Sequence, residues 1–316
     1  MLWVLRRVGV SLILVWLVAT IVFMTLHIVP GDPAELLMST GGVAPDPAAV
    51  AELRERLRLN DPLLTQYGRF ITGLLRGDLG TSLTDDYPVM AEISLRLPRT
   101  LELIAAASLI SILVALPAGT YAAVRRNGMF DSLASGAAAL LLAIPVFVVG
   151  TLLILVLAQM LRVMPAGGYV PLAQDPLRHL TLLSLPAITI ATGLMAVLFR
   201  MTRASVLDAL PRDYVRTARA KGLSSGRVMV LHVVRNALMP VLTVLGLHMG
   251  ALLGGTVLVE YVFNWPGMST PLLRAVEARD YPMVVGIVLV ISALFLLINL
   301  IMDLLYGVLD PRIRAR

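Results

Sequence analysis

Between two long apolar stretches the chain reads RDYVRTARAKGL, Arg212 to Leu223, its densest run of groups able to grip a partner. On a helix Arg212, Arg216 and Arg219 follow i, i+4, i+7 spacing and share one face, while Tyr214, Thr217, Ala218 and Lys221 share another. The arginine face suits anionic headgroups or the acidic side chains of another protein. The other face sets one aromatic ring among small residues, a surface able to sit closely in a groove. Gly222 suits the left-handed turn that closes such a helix, and Ser224 or Ser225 is placed to cap a second helix through Val228 and Leu231. Spacing alone leaves two readings open: an amphipathic helix lying on a membrane, and a docking surface.

Other chemistry is missing. Neither a G-x-x-x-x-G-K-[ST] phosphate cradle nor an H-E-x-x-H metal pair occurs, and zero cysteines exclude disulfides and thiolate metal sites. The four histidines, His27, His179, His232 and His248, are scattered. Only His248 lies deep in an apolar stretch, where a satisfied interior histidine is the expectation. Glu102, Glu260 and Asp303 fall toward the ends of apolar stretches, which leaves no central carboxylate relay for an ion- or proton-coupled carrier. An intramembrane enzyme would need a paired His, Asp or Ser/Lys constellation that is also absent. No catalytic residue, metal or cofactor is expected in this chain, and a transporter built this way would draw its energy from elsewhere.

The elements that must position these groups are membrane spans. The chain is 58% hydrophobic and 15% charged, with a mean hydropathy of +0.86, against roughly 45–50% apolar and about 25% charged in soluble domains. Six apolar stretches approach the roughly 20 residues that cross a bilayer, at 9–29, 101–124, 133–161, 180–201, 237–259 and 283–306. Backbone groups in lipid need internal partners, so the expected fold is all-α, a polytopic bundle of six helices. With the N-terminus inside, fifteen of the 26 Lys and Arg residues are cytoplasmic, and seven of the remainder run from Arg54 to Arg99, along and just past one long translocated segment. This asymmetry indicates N-in, C-in and accounts for the net charge of +6 without nucleic acid. The first span follows Arg6 and Arg7 but is longer than a secretion-signal core and has no small-x-small cleavage site, so it is expected to be retained.

The expected organisation is a cytoplasmic N-terminus and first span (1–29), an extracytoplasmic helical insert (30–98), the remaining spans (99–306) with a cytoplasmic loop at 202–236, and a cytoplasmic tail (307–316). Within the insert, Asp46 and Pro47 open a helix carrying Val50, Leu53 and Leu57 on one face. A second amphipathic helix spaces Leu63, Tyr67, Phe70, Ile71 and Leu74 helically and ends at Gly77. These helices lie against the outer membrane surface or cap the mouth of the bundle. Gly246, Gly250 and Gly254 form a four-residue-spaced strip on the fifth span, suited to close helix packing or to a path.

Here the chain resembles a known family. YVRTARAKGLSSGRVMVLHVVRNALMP is similar to the cytoplasmic signature of ABC-importer permeases of the dipeptide/oligopeptide/nickel type. PGDPA after span one, GDLGTSL closing the insert, MPAGGY before span four, EYVFNWPGM and ARDYP around the last outer loop, and the tail LDPRIR match in the same order. The general permease signature is E-A-A-x-x-x-G, then nine residues and I-x-L-P. Ala218 and Gly222 match it, Arg216 and Thr217 stand at its glutamate and first alanine, and Pro240 comes eighteen residues after Gly222, as in the peptide subgroup. The long insert resembles that of the first of two paired permeases.

The resemblance implies a non-catalytic permease subunit in a bacterial inner membrane. Its partners would be a homologous second permease, two ATPase subunits that bind ATP and Mg, an extracytoplasmic solute-binding protein and membrane lipid. Asp213, Tyr214, Thr217, Ala218, Ala220, Lys221 and Gly222 would couple to an ATPase subunit, and Glu260, Pro266 and Gly267 would lie on the binding-protein side. The family carries dipeptides, longer peptides, glutathione, nickel chelates and some sugars, with selection by the binding protein.

Overall fold

The computed structural model describes residues 2–28, 33–38, 46–56 and 58–309. Their regular structure is helical, with one isolated bridge, between Thr81 and Pro88. Residues 30–32 of the PGDPA break, Leu57 and the tail from residue 310 lie outside the described residues. Five described helices are long and apolar enough to cross a membrane, and a bent pair makes a sixth.

By contacts the chain divides into two compact units. The first comprises residues 1–99 and 267–296. It holds α1 (Leu2–Ile28), the insert helices α2 (Pro33–Met38), α3 (Pro47–Arg56) and α4 (Leu63–Leu75), the start of α5 (Val89–Val124), α13 (Ser269–Glu277) and the outer part of α14 (Tyr281–Leu309). Asp46 opens α3 as expected, its Oδ1 accepting from the Ala48 amide at 3.0 Å. α4 closes at Leu75, and Gly77 just beyond it turns the chain with a φ of +75° that only glycine adopts without strain. Val89, Ile93, Met268, Ala275, Met283 and Ile287 form one small core here, and Ala19, Val285 and Leu289 seed another. Gly286 is needed in the first of these, because a Cβ there would stand 2.4 Å from Val89 Cγ1.

The polar centre of this unit is Asp280, which is buried. Its carboxylate accepts from Ser82 Oγ at 2.5 Å, from the Leu83 amide at 3.2 Å and from the Met283 amide at 3.3 Å. The last bond caps α14, so one side chain starts that helix and ties the GDLGTSL segment to it.

The second unit comprises residues 100–266 and 297–316. Its buried axis is α8 (Pro176–Ala209), against which α6 (Met129–Ala143), α7 (Val146–Leu153), α11 (Arg235–Gly255) and α12 (Val257–Val262) pack. Asp175 caps α8 by accepting from the Arg178 amide at 2.9 Å. At the other end, Arg203 grips the buried Asp131 of α6 with two bonds, of 2.5 and 2.8 Å. Asp131 also accepts from the Asn127 amide at 2.9 Å. A fork of this kind meets the demand that a buried charge be paired and hydrogen-bonded.

Three expectations about the spans need correcting. The second begins at Val89 and contains Pro98, rather than starting after it. The fourth runs from Pro176 to Ala209, past both expected ends. The third is broken: α6 and α7 meet at 107°. Ile144 adopts an extended conformation before Pro145, and Pro145 has no amide to continue the ladder. Beyond α7 the chain continues in wide π-helical turns to Met160.

Small residues let these helices touch. A Cβ on Gly119 would lie 2.8 Å from the Phe199 carbonyl oxygen, whereas one on Gly136 would meet nothing within 4 Å. Alanine favours a helix over glycine by about 1 kcal/mol, so Gly136→Ala should be neutral or stabilising. Gly119→Ala should instead cost about 1–3 kcal/mol through overpacking. Thermal denaturation of the detergent-solubilised complex reads the opposite signs.

Candidate functional site

The basic segment folds as expected into α9 (Asp213–Ala220), followed by α10 (Ser225–Val228) and π-helical turns at Met229–Val234 that lead into α11. Asp213 stands in the first turn and Arg219 in the last, each favourable to the helix dipole. The helix ends in a two-bond lock: the Gly222 amide donates to Arg219 O at 2.9 Å and the Leu223 amide to Ala218 O at 3.4 Å. This is the Schellman arrangement, and Gly222 takes the required φ of +76°. Ser224 occupies the cap position of α10 but its side chain makes no capping bond, contrary to expectation.

The two faces are not divided as the spacing alone implies. Val215 and Ala218, three residues apart, turn into the chain's own core with Ala123, Val206, Ala209, Val228, Val233 and Ala237. Ala218 is therefore an anchor and not part of the outward face. What faces outward is Asp213, Tyr214, Arg216, Thr217, Arg219, Ala220, Lys221 and Gly222. The Arg216–Asp213 contact, at 3.7 Å with both groups well exposed, is an ion pair of little energetic weight. Beside the helix a shallow cleft of about 480 Å³ is lined by Leu207, Asp208, Pro211, Arg212 and Asp213.

The glycine strip of α11 is uneven. Gly246 is covered, since a Cβ there would stand 2.6 Å from Met302 Cγ. Gly250 is buried and Gly254 is exposed with nothing within 4 Å of its Cβ direction. His248 is half-buried.

At the outer end of the second unit lies a polar cluster that spacing does not reveal. His179, expected in a loop, is buried in the first turns of α8 and shares Glu102 of α5 across 77 residues. Its Nδ1 lies 2.7 Å from Val170 O and its Nε2 lies 2.7 Å from Glu102 Oε1. A carbonyl only accepts, so Nδ1 is the donor there, and Nε2 faces the Glu102 carboxyl group. Tyr169 and Trp265 close edge-on around the ring, with centroids 5.7 and 5.9 Å from it. Glu260, expected in an outer loop, is instead buried on α12 and accepts from Thr100 Oγ1 at 2.5 Å. Next to it Phe263 and Trp265 are buried, and Gly167 has no room for a side chain, since its Cβ would stand 2.1 Å from Phe263 O. Pro266 is half-buried and Gly267 buried. Glu102 and Glu260 thus hold structure together at span ends. Among the described residues no group of three His, Cys, Asp or Glu side chains is placed to hold a metal ion.

Residues 115–315 match the family model described as the binding-protein-dependent transport system inner membrane component, and residues 1–104 match that of its N-terminal part. The dipeptide transport system permease protein DppB of Escherichia coli K12 is 38% identical over 99% of both chains. The glutathione transport system permease protein GsiC of Pectobacterium atrosepticum is 41% identical over 95% of this chain and 94% of its own. A solved structure of the MetNI methionine ABC transporter superposes with a TM-score of 0.56 at 16% identity, over 70% of this chain and 97% of that one. At that identity the likeness is one of fold.

The histidine geometry makes a test. Glutamine at position 102 offers an amide N–H to Nε2 of a neutral imidazole, whereas leucine leaves a buried nitrogen unpaired. Glu102→Leu should therefore cost about 1–3 kcal/mol and Glu102→Gln markedly less, as read by thermal unfolding of the purified complex.

Proposed function

The chain belongs to the family of inner-membrane components of binding-protein-dependent transport systems, and we propose that it forms half of an ATP-driven import path for peptides. The substrate class follows the relatives, which are dipeptide, di/tripeptide and glutathione permeases at 38–41% identity. Its partners in this reading are a homologous permease, two ATPase subunits and an extracytoplasmic binding protein that selects the peptide. ATP and magnesium belong to the ATPases, because this chain has no phosphate cradle of its own.

The observation that carries the mechanism is the packing of α9. Val215 and Ala218 fix it to the ends of α5 and α8 and to the entry of α11, while Tyr214, Thr217, Ala220 and Lys221 remain outward. An element bolted inward and open outward transmits a displacement without absorbing it. A cleft on an ATPase subunit would grip the outward side, and closure of the ATPases would bias the spans between two arrangements. The outer residues Glu260, Pro266 and Gly267 fall on the binding-protein side in this reading.

Thr217 is exposed and its hydroxyl bonds only back to Asp213 O, at 2.9 Å, so a larger side chain there leaves the inner packing alone. Thr217→Trp in the complete complex should lower peptide uptake about tenfold or more, the loss expected when an interface anchor is displaced. Membrane insertion should be unchanged. Uptake at the wild-type rate would overturn the coupling role; uptake by vesicles holding this chain without any ATPase would overturn the functional reading itself.

A further inference from the structure

The insert helix α4 is amphipathic, yet its apolar side is only partly covered by protein. Tyr67, Phe70, Ile71 and Leu74 turn toward α1 and α14. Tyr67 OH and Thr20 Oγ1 share a hydrogen bond of 2.7 Å, Phe23 meets Tyr67 and Phe70 at ring centroids of 5.3 and 5.4 Å, and Phe70, Ile71 and Leu74 pack on Ala19, Val285 and Leu289. Leu64 and Leu75 flank this face. Eleven residues apart, they are about 20° from each other around a helix of 3.6 residues per turn, and they are 84% and 82% exposed. Gly68 lies on the same edge and is also exposed. Thr65, Thr72 and Arg76 are exposed on another side of the helix.

The contacts of α4 set its depth. Thr20 precedes the outer end of α1, at Ile28, by eight residues, which is about 12 Å of helix. On α14, Val285 and Leu289 follow the outer start at Tyr281 by four and eight residues, about 6 and 12 Å. Both spans hold α4 against their apolar outer portions. At that level the medium beside an unpaired leucine edge is acyl chain rather than water.

We propose that α4 is an interfacial helix embedded in the outer leaflet, with its Leu64, Gly68 and Leu75 edge in contact with phospholipid acyl chains and Thr65, Thr72 and Arg76 turned to headgroups and water. The insert is then held by lipid as well as by protein. A cationic arginine on the polar side fits the phosphate level, where long basic side chains keep their charge wet.

The chain contains no cysteine, so single cysteines at 64, 65, 68, 72 and 75 are unique within it. Spin labels at these positions, in the assembled transporter in phospholipid nanodiscs, are exposed to oxygen and to a water-soluble nickel chelate. At 64, 68 and 75 collisions with oxygen should exceed those with nickel, and the order should reverse at 65 and 72. Gly68→Cys has open space around its Cβ and reports on the edge if a leucine replacement disturbs assembly. Nickel-dominated collisions at 64, 68 and 75 would place that edge in water and overturn the proposal. Shielding from both reagents would place it against a protein partner and overturn it equally.

Discussion

A buried charged or ionisable group must find its hydrogen bonds inside the protein, and the four such side chains buried among the described residues show where this chain supplies them. Asp131 has the Arg203 fork and the Asn127 amide; His179 has Val170 O and Glu102; Glu260 has Thr100; Asp280 has Ser82, Leu83 and Met283. Each set binds segments far apart in the chain. An unpaired member would carry a desolvation cost of several kcal/mol. Partnering of this kind specifies which helices meet and leaves the central stretches to close packing.

Close packing in lipid needs small residues, because apolar side chains gain little by leaving acyl chains for one another. Gly119, Gly150 and Gly246 stand where a Cβ would strike Phe199, Phe263 and Met302. Alanines do similar work in the core around α8, where Ala115, Ala122, Ala138 and Ala196 are buried. The ladder is loosened elsewhere: at the Ile144–Pro145 break, through the π-helical turns at Ile154–Met160 and at Met229–Val234 ahead of α11. In the last of these, Asn236 Nδ2 donates to His232 O at 2.7 Å, so a side chain meets a carbonyl where the wide turns depart from α-helical spacing. Tight contacts and loosened turns thus occupy different places.

Local features were legible in the sequence because their causes are local. Apolar run length marked the spans, Asp46–Pro47 marked the start of α3, and Gly222 marked the turn after α9 with its positive φ. Features set by distant residues were not. His179 and Glu102 are 77 residues apart, Asp131 and Arg203 are 72, and Ser82 and Asp280 are 198. One sequence holds no statement of which charge meets which. The assignment of Ala218 to the outward face failed for the same reason. Periodicity tells which residues share a side of a helix, but the neighbouring helices decide which side turns inward. Pro98 misled at the start of the second span because packed neighbours can make good the missing amide in a membrane helix.

The same division between inward and outward sides is what the proposed coupling role of α9 requires. Work delivered to a helix on its surface is useful only if that helix cannot slip against the spans. Val215 lies fully buried in α9, Ala218 nearly so, and the Schellman lock carries the chain from Gly222 through Leu223 back onto the same core. In that role the outward side needs the opposite properties, exposure and weak internal commitments. Arg216 and Asp213 have them, their mutual contact being long and solvated. On the proposed reading, a segment rich in arginine and small residues between apolar spans answers two demands on eight residues of helix: one side belongs to the membrane domain and the other remains available to a separate protein.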